Sequence, residues 1–205
     1  SRPPLYENVD GRKCLELDCS RDLHNWERVA DRAPFMEQSP IGDGSAYDTA
    51  QLGTTNRPIV RDDELWFYYG GYRFRGITQE QAWNREYLDS SAVCLAKLRL
   101  DGFCSLKGGI EPGSVLSTPI QVDGRELRVN ADAWRGSVRA EVLDAGDGQP
   151  VPGYAMDDCL PTVADEVDAP MRWKEKTDLA GLAGKTVRVR FSVLNAEIYA
   201  FWLAG

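Results

Sequence analysis

Residues Cys19–Val29, CSRDLHNWERV, decide how this chain is read. They describe a strand end, a tight polar turn, a tryptophan and a second strand. Ser20, Asp22 and Trp26 form the pattern S-x-D-L-x-x-W. A short Asp side chain can accept hydrogen bonds from the backbone amides of its own turn, and Ser does the same more weakly. Asp22 is therefore expected to hold the turn. Trp26 is expected to be buried between sheets, with a partner for its indole N–H.

The pattern around this hairpin is β throughout. Apolar residues alternate at period two, with turn residues between the runs, the signature of an all-β protein. Strands are expected at Lys13–Asp18, Trp26–Arg28, Thr54–Val60, Glu64–Gly70 and Ser91–Leu98. The turn Arg61-Asp62-Asp63 makes a hairpin of two of them. Pro34–Tyr47 reads as a long polar loop, and Ile77–Tyr87 as one short helix decorating the sheet. LKGGIEPG, over Leu106–Gly113, breaks the pattern and marks a boundary. Beyond it strands resume at Val115–Gln121, Glu126–Asn130, Gly136–Leu143, Pro170–Trp173, Thr186–Leu194 and Glu197–Leu203, which suits a β-sandwich.

Composition narrows the function classes. The chain has 205 residues, enough for one large or two small domains, and 42% of them are hydrophobic, enough for real cores. A net charge of −8, with no Lys/Arg run, argues against nucleic-acid binding through phosphate neutralisation. No apolar run approaches the roughly 20 residues of a membrane helix, so no membrane span is expected. The five cysteines, Cys14, Cys19, Cys94, Cys104 and Cys159, lack metal-ligand spacing and read mostly as small buried hydrophobes. One disulfide, for example at Cys159, stays open. His24 is the single histidine, which disfavours a histidine-based nucleophilic centre and a histidine-rich zinc site.

At this point the residues resemble a known family. SRDLHNWERV is similar to the blade hairpin repeated in the five-bladed β-propellers of glycoside hydrolase families 32, 43 and 68. GSAYDTAQLGTTNRPIVRDDELWFYYGGYR resembles the following blade, with Asp48 opening an inner strand. VCLAKLRLDGFCSL resembles the strand that leaves the propeller. EPGSVLSTPI, LRVNADAWRGSVRAEVLDAGDGQPVPGY and RVRFSVLNAEIYAFWL resemble landmarks of an appended β-sandwich. The resemblance implies an all-β chain, with a partial β-propeller over residues 1–107 and a β-sandwich over residues 108–205. It also implies an extracellular or periplasmic carbohydrate-active protein.

Length sets the limit on that inheritance. A four-stranded blade takes roughly 40–50 residues, so residues 1–107 hold about two blades. The family's catalytic aspartate and general-acid glutamate lie in blades that this sequence does not contain, and no residue inherits their roles. The chain is then expected to be the C-terminal part of a larger enzyme, or a short protein whose strands assemble differently. Open blade edges invite pairing with another protein chain or with the missing blades.

Sugar binding needs planar aromatics for C–H faces and polar side chains for hydroxyls. The candidates are Asp48, Arg57, Tyr72, Arg73, Trp83 and Arg85, placed after inner strands or in the insertion that would line a propeller mouth. Trp134, Trp173, Tyr199, Phe201 and Trp202 read as core of the second domain. No cofactor is required. Asp157, Asp158, Asp165, Glu166 and Asp168 are oxygen donors of the kind calcium takes, but their spacing matches no EF-hand, and a solvated acidic loop is the plainer reading. The leading expectation is a portion of a glycoside-hydrolase-like protein that completes a propeller and contributes to sugar binding. The alternatives are a non-catalytic lectin-like module and a structural subunit of an extracellular assembly.

Overall fold

A computed structural model describes residues 13–40, 44–53, 57–73 and 89–205. The described residues are strands, turns and three short 3-10 segments (Ala30–Arg32, Met156–Asp158 and Ala180–Leu182), with no α-helix. The all-β expectation holds at that level, and the strands form several open sheets. Among the described residues, no helix is long and apolar enough to cross a membrane. The expected helix Ile77–Tyr87, with Trp83 and Arg85, lies outside the described residues. The chain divides into two compact units, Ser1–Leu98 and Arg99–Gly205.

The first unit begins with nested antiparallel pairs. β1 (Leu15–Glu16) pairs with β4 (Pro34–Met36), and β2 (Asp18–Cys19) with β3 (Glu27–Arg28). The polar loop expected from Pro34 therefore starts as a strand. The turn between β2 and β3 is built as its side chains dictate. Asp22 Oδ1 accepts from the amides of His24 (2.8 Å) and Asn25 (2.7 Å), and Oδ2 from the Asn25 side chain (2.6 Å). Ser20 Oγ accepts from the Leu23 amide at 2.9 Å. Trp26 departs from expectation: it is 58% exposed, although its indole N–H does reach the Leu23 carbonyl at 3.3 Å. Both strands of this hairpin are themselves exposed, and among the described residues no apolar layer covers the ring.

The same unit holds a four-stranded sheet. β5 (Gln51–Gly53) and β6 (Ile59–Arg61) pair with successive stretches of β7 (Glu64–Tyr72), which also pairs with β8 (Ser91–Arg99). The Asp62-Asp63 turn joins β6 to β7 with Arg61 opposite Glu64, as expected of that hairpin.

The second unit is built on two sheets. In one, β10 (Gly113–Leu116) and β11 (Ile120–Gln121) pair with β17 (Thr186–Leu194), which pairs along its length with β13 (Ser137–Asp144). Val115–Gln121 is thus two short strands, broken over Ser117-Thr118-Pro119, where proline has no amide to donate. In the other sheet the order is β15 (Asp165–Pro170), β12 (Glu126–Asp132), β18 (Glu197–Ala204) and β9 (Leu106–Lys107). A small pair, β14 (Cys159–Leu160) and β16 (Arg172–Trp173), completes the unit.

Alternation places Leu127, Val129, Val138, Ala140, Val142, Val187, Val189, Phe191 and Ile198 in one shared core. Trp173 is fully buried there, donates to the Ala140 carbonyl at 3.0 Å and meets Tyr154 edge-on at 5.1 Å.

Three expectations for this unit are corrected. Trp134 is not core but 61% exposed. The acidic loop is partly a strand: Asp165, Glu166 and Asp168 lie in β15, paired with β12 because Val167 and Ala169 supply its apolar alternation. The cysteines are not mostly buried: Cys14, Cys19 and Cys104 are exposed, Cys94 is half-buried, and all five are free. Only Cys159 is buried. It accepts from the Ala140 amide at 3.2 Å, and burial pushes its thiol pKa up.

Candidate functional site

In the first unit, the expected sugar-site residues are largely absorbed by the fold. Asp48 is a buried carboxylate at 7% exposure, and its Oδ2 accepts from the Tyr69 hydroxyl at 2.7 Å. Burial alone would raise its pKa, but hydrogen bonds from Ser39 and Tyr69 outweigh burial and hold it below the usual range. The same contact, with burial, pushes the Tyr69 phenol far up.

Arg73 is a clasp. Its guanidinium donates to the carbonyls of Ala46 (3.0 Å) and Gly44 (2.9 Å), pairs with Asp89 at 2.8 Å and lies 4.0 Å from the centre of the Tyr47 ring. Tyr47 in turn donates to Asp89 at 2.5 Å. Tyr72 ends β7, 42% exposed, with its ring against the paired glycines Gly53 and Gly70. Arg57 is exposed just before β6. Asp48, Tyr72 and Arg73 thus share one neighbourhood, but Asp48 and Arg73 spend their hydrogen bonds on it.

The more open arrangement lies in the second unit. A cleft of about 500 Å³ is lined by Lys107, Asp132, Trp134, Arg135, Asn195 and Glu197, with the backbone of Gly108 and Gly109. Three connections build it: the run after β9, the turn after β12 and the β17–β18 turn. Two glycines let these connections close on one another. A Cβ on Gly108 would fall 1.9 Å from the Val193 carbonyl oxygen, and one on Gly136 would fall 1.8 Å from that of Leu194. Asn195 turns the chain with φ of 42°.

Trp134 projects from the β12–β13 turn, where strand alternation stops, and the Asp132 carboxylate accepts its amide at 3.4 Å. The Arg135 guanidinium lies 4.2 Å from the centre of its ring. Asp132 and Glu197 are opposed across β12 and β18. Glu197 is stabilised as the anion by Lys107 (3.0 Å) and Ser105 (2.9 Å), which hold its pKa below the usual range despite partial burial, and Tyr199 also donates to it at 3.2 Å.

Glu197, held as the anion by Lys107 and Ser105, does not match the needs of a general acid. A general acid in glycoside hydrolysis needs a carboxyl whose pKa is raised. Asp22, Asp48, Glu64 and Glu197 are all shifted down. What the cleft offers is a flat aromatic surface beside carboxylate, amide and ammonium groups. Sequence alone reads Trp134 as core, the usual place of a tryptophan in a β domain. The signal was the D-A-W-R-G run, whose glycine puts Trp134 in a turn.

Among the described residues, no three His, Cys, Asp or Glu side chains gather to hold a metal ion. Three of the acids considered for calcium are paired with cations: Asp165 with Arg99, Asp168 with Arg128, and Asp158 with Lys174. Compared with known protein families, characterised proteins and solved structures, the chain matches none.

Proposed function

We propose that this chain is the carbohydrate-binding, non-catalytic C-terminal part of a glycoside-hydrolase-like protein of the extracellular or periplasmic space. In this reading the second unit is a β-sandwich that holds sugar rings against Trp134. The first unit supplies about two blades to a propeller that further strands, from the same protein or a partner chain, complete.

One observation carries the binding role: a tryptophan 61% exposed in a cleft rimmed by Asp132, Asn195, Glu197 and Lys107. Exposing an indole costs hydrophobic free energy, and a pyranose or furanose C–H face would recover it. Lys107 and Glu197 are paired with each other, and Asn195 and Asp132 at the rim offer a donor and acceptors to ring hydroxyls. The downward-shifted carboxylates support binding without turnover. The propeller part rests on the blade hairpin, whose turn is held by Asp22 and Ser20.

The test is calorimetric titration with fructan, arabinan and xylan oligosaccharides, with product analysis by chromatography. Binding without hydrolysis is expected, and Trp134→Ala should weaken it about tenfold, roughly 1.4 kcal/mol. Turnover by this chain alone would defeat the non-catalytic reading. Failure to bind any oligosaccharide, or binding indifferent to Trp134→Ala, would defeat the cleft.

A further inference from the structure

The sheet formed by β10, β11, β17 and β13 has a second face, turned away from the core. Because Val187, Val189 and Phe191 point inward, Arg188, Arg190 and Ser192 point outward. On β13 the same rule sends Arg139 and Glu141 outward, since Val138, Ala140 and Val142 are core. Register then places Glu141 opposite Arg190 and Arg139 opposite Ser192, with Ser114 of β10 on the other side of Ser192.

Three guanidinium groups therefore share this face with one carboxylate, on a chain whose net charge is −8. The lone acid is already spent: Glu141 is buried at 6% exposure and accepts from Arg190 at 2.8 Å. Among the described residues, Arg188 and Arg139 meet neutral carbonyls and no carboxylate, the carbonyls being those of Ser117 at 3.3 Å and Cys159 at 3.2 Å. These bonds orient the two side chains and leave their charges uncompensated. Arg188 and Arg190 stand two residues apart on one strand, roughly 7 Å. Arg139 lies diagonally across from Arg190, at roughly 7–8 Å between Cα positions.

We infer that this face binds an anionic polysaccharide, one carrying carboxylate or sulfate groups along its chain, through Arg139, Arg188 and Arg190. The inference rests on the reading of the chain as carbohydrate-binding, and it names a class of glycan and a second surface. Charge complementarity selects the occupant. Guanidinium forks match oxyanions in geometry as well as charge. Duplex DNA, with one charge about every 1.7 Å, packs its anions too densely for three guanidinium groups spaced by roughly 7 Å. An acidic glycan spaces its charges by whole sugars and places hydroxyls between them, within the chemistry of Ser114 and Ser192.

The test titrates the chain with oligogalacturonate (the carboxylate arm) and with a κ-carrageenan oligosaccharide (the sulfate arm, which carries no carboxylate). A neutral arabinan oligomer and a short DNA duplex serve as comparisons, each at low and at physiological salt. The expected result is binding of at least one acidic glycan, with the arm that binds identifying the anion. Arg139→Gln combined with Arg188→Gln should weaken it about tenfold and lower the log–log salt slope by about 2, with the melting temperature unchanged. Each single variant should give part of the loss, so a misfolded double variant does not blunt the test. Arg190 is left in place because its removal would strand buried Glu141.

Trp134→Ala should leave acidic-glycan binding intact while weakening binding of neutral sugar about tenfold, so failure of the cleft and failure of this face are told apart. The proposal is overturned if neither acidic glycan binds, if binding ignores the arginine variants, or if the duplex binds as tightly as the glycans.

Discussion

Of the buried apolar side chains among the described residues, only Leu52 and Leu65 belong to Ser1–Leu98, whereas all the others belong to Arg99–Gly205. The second unit has a dense core of Val, Leu, Phe and Trp between two sheets. The first is tied by polar contacts: the Asp22 turn, the Asp48–Tyr69 hydrogen bond and the Arg73 clasp on Tyr47, Asp89, Gly44 and Ala46. Hydrophobic burial is non-directional and scales with area, while hydrogen bonds act locally and contribute little net free energy each. Among the described residues, the first unit has the smaller apolar core and so the more to gain from additional strands. The contrast agrees with its proposed place in a larger propeller.

The largest expected effect strikes the core of the second unit. Trp173→Ala removes a fully buried indole, its edge contact with Tyr154 and its bond to the Ala140 carbonyl. Such truncations cost about 3–5 kcal/mol. Urea unfolding followed by circular dichroism should show that loss. A loss below 1 kcal/mol, by the same measure, would mean that the core does not carry the unit and would erase the comparison.

A smaller effect is expected at the buried carboxylate of the first unit. Asp48→Ala leaves the Tyr69 hydroxyl and Ser39 without their acceptor, a cost of about 1–3 kcal/mol. It should accelerate amide exchange in β5 and β7 and leave β12, β13 and β17 protected. The pH dependence has a definite sign. Because the folded pKa of Asp48 is depressed, its contribution is full above the ordinary carboxyl value of about 3.9 and fades as pH falls through the lower folded value. Protection of the β5 and β7 amides, taken relative to the intrinsic exchange rate at each pH, should therefore fall on acidification in the wild type, and in Asp48→Ala that fall should vanish.

The two units were also unequally legible in the sequence. Where one side of a strand is core, alternation reads directly: β13, β17 and β18 fall close to their expected spans. β15 escaped notice because its acids mask the Val167 and Ala169 alternation, and pairing with β12 overrides that composition. In the first unit the side-chain chemistry of the Asp22 turn was readable because it is local. The exposure of Trp26 was not, because it depends on what lies beneath the hairpin. Arg73 was legible as a functional type but not as a clasp, since its partners Gly44, Ala46 and Asp89 come from distant stretches of chain. Trp134 was missed for the opposite reason: a residue type common in cores was placed by a turn.

The smallest effect, and the sharpest check on the polar half of the comparison, is at Asp22. Its carboxylate accepts from the amides of Asn25 and His24 and from the Asn25 side chain, and those bonds hold its pKa far below the usual range. All the partners are exposed, so water replaces them readily and global unfolding should shift little in Asp22→Ala. The turn itself should loosen. Amides of Leu23, His24 and Asn25 should exchange faster, and the bond from Trp26 to the Leu23 carbonyl, at 3.3 Å, should be lost with it. Asp22→Asn, which keeps one acceptor oxygen, should fall between. In the wild type, turn protection should be complete above the ordinary carboxyl value and decline only as pH drops well below it, because the folded pKa is depressed. If Asp22→Ala instead destabilised the whole first unit as much as Asp48→Ala, the turn would be a cooperative part of that unit's fold and not a local closure, and the division between a locally tied unit and a core-held one would have to be redrawn.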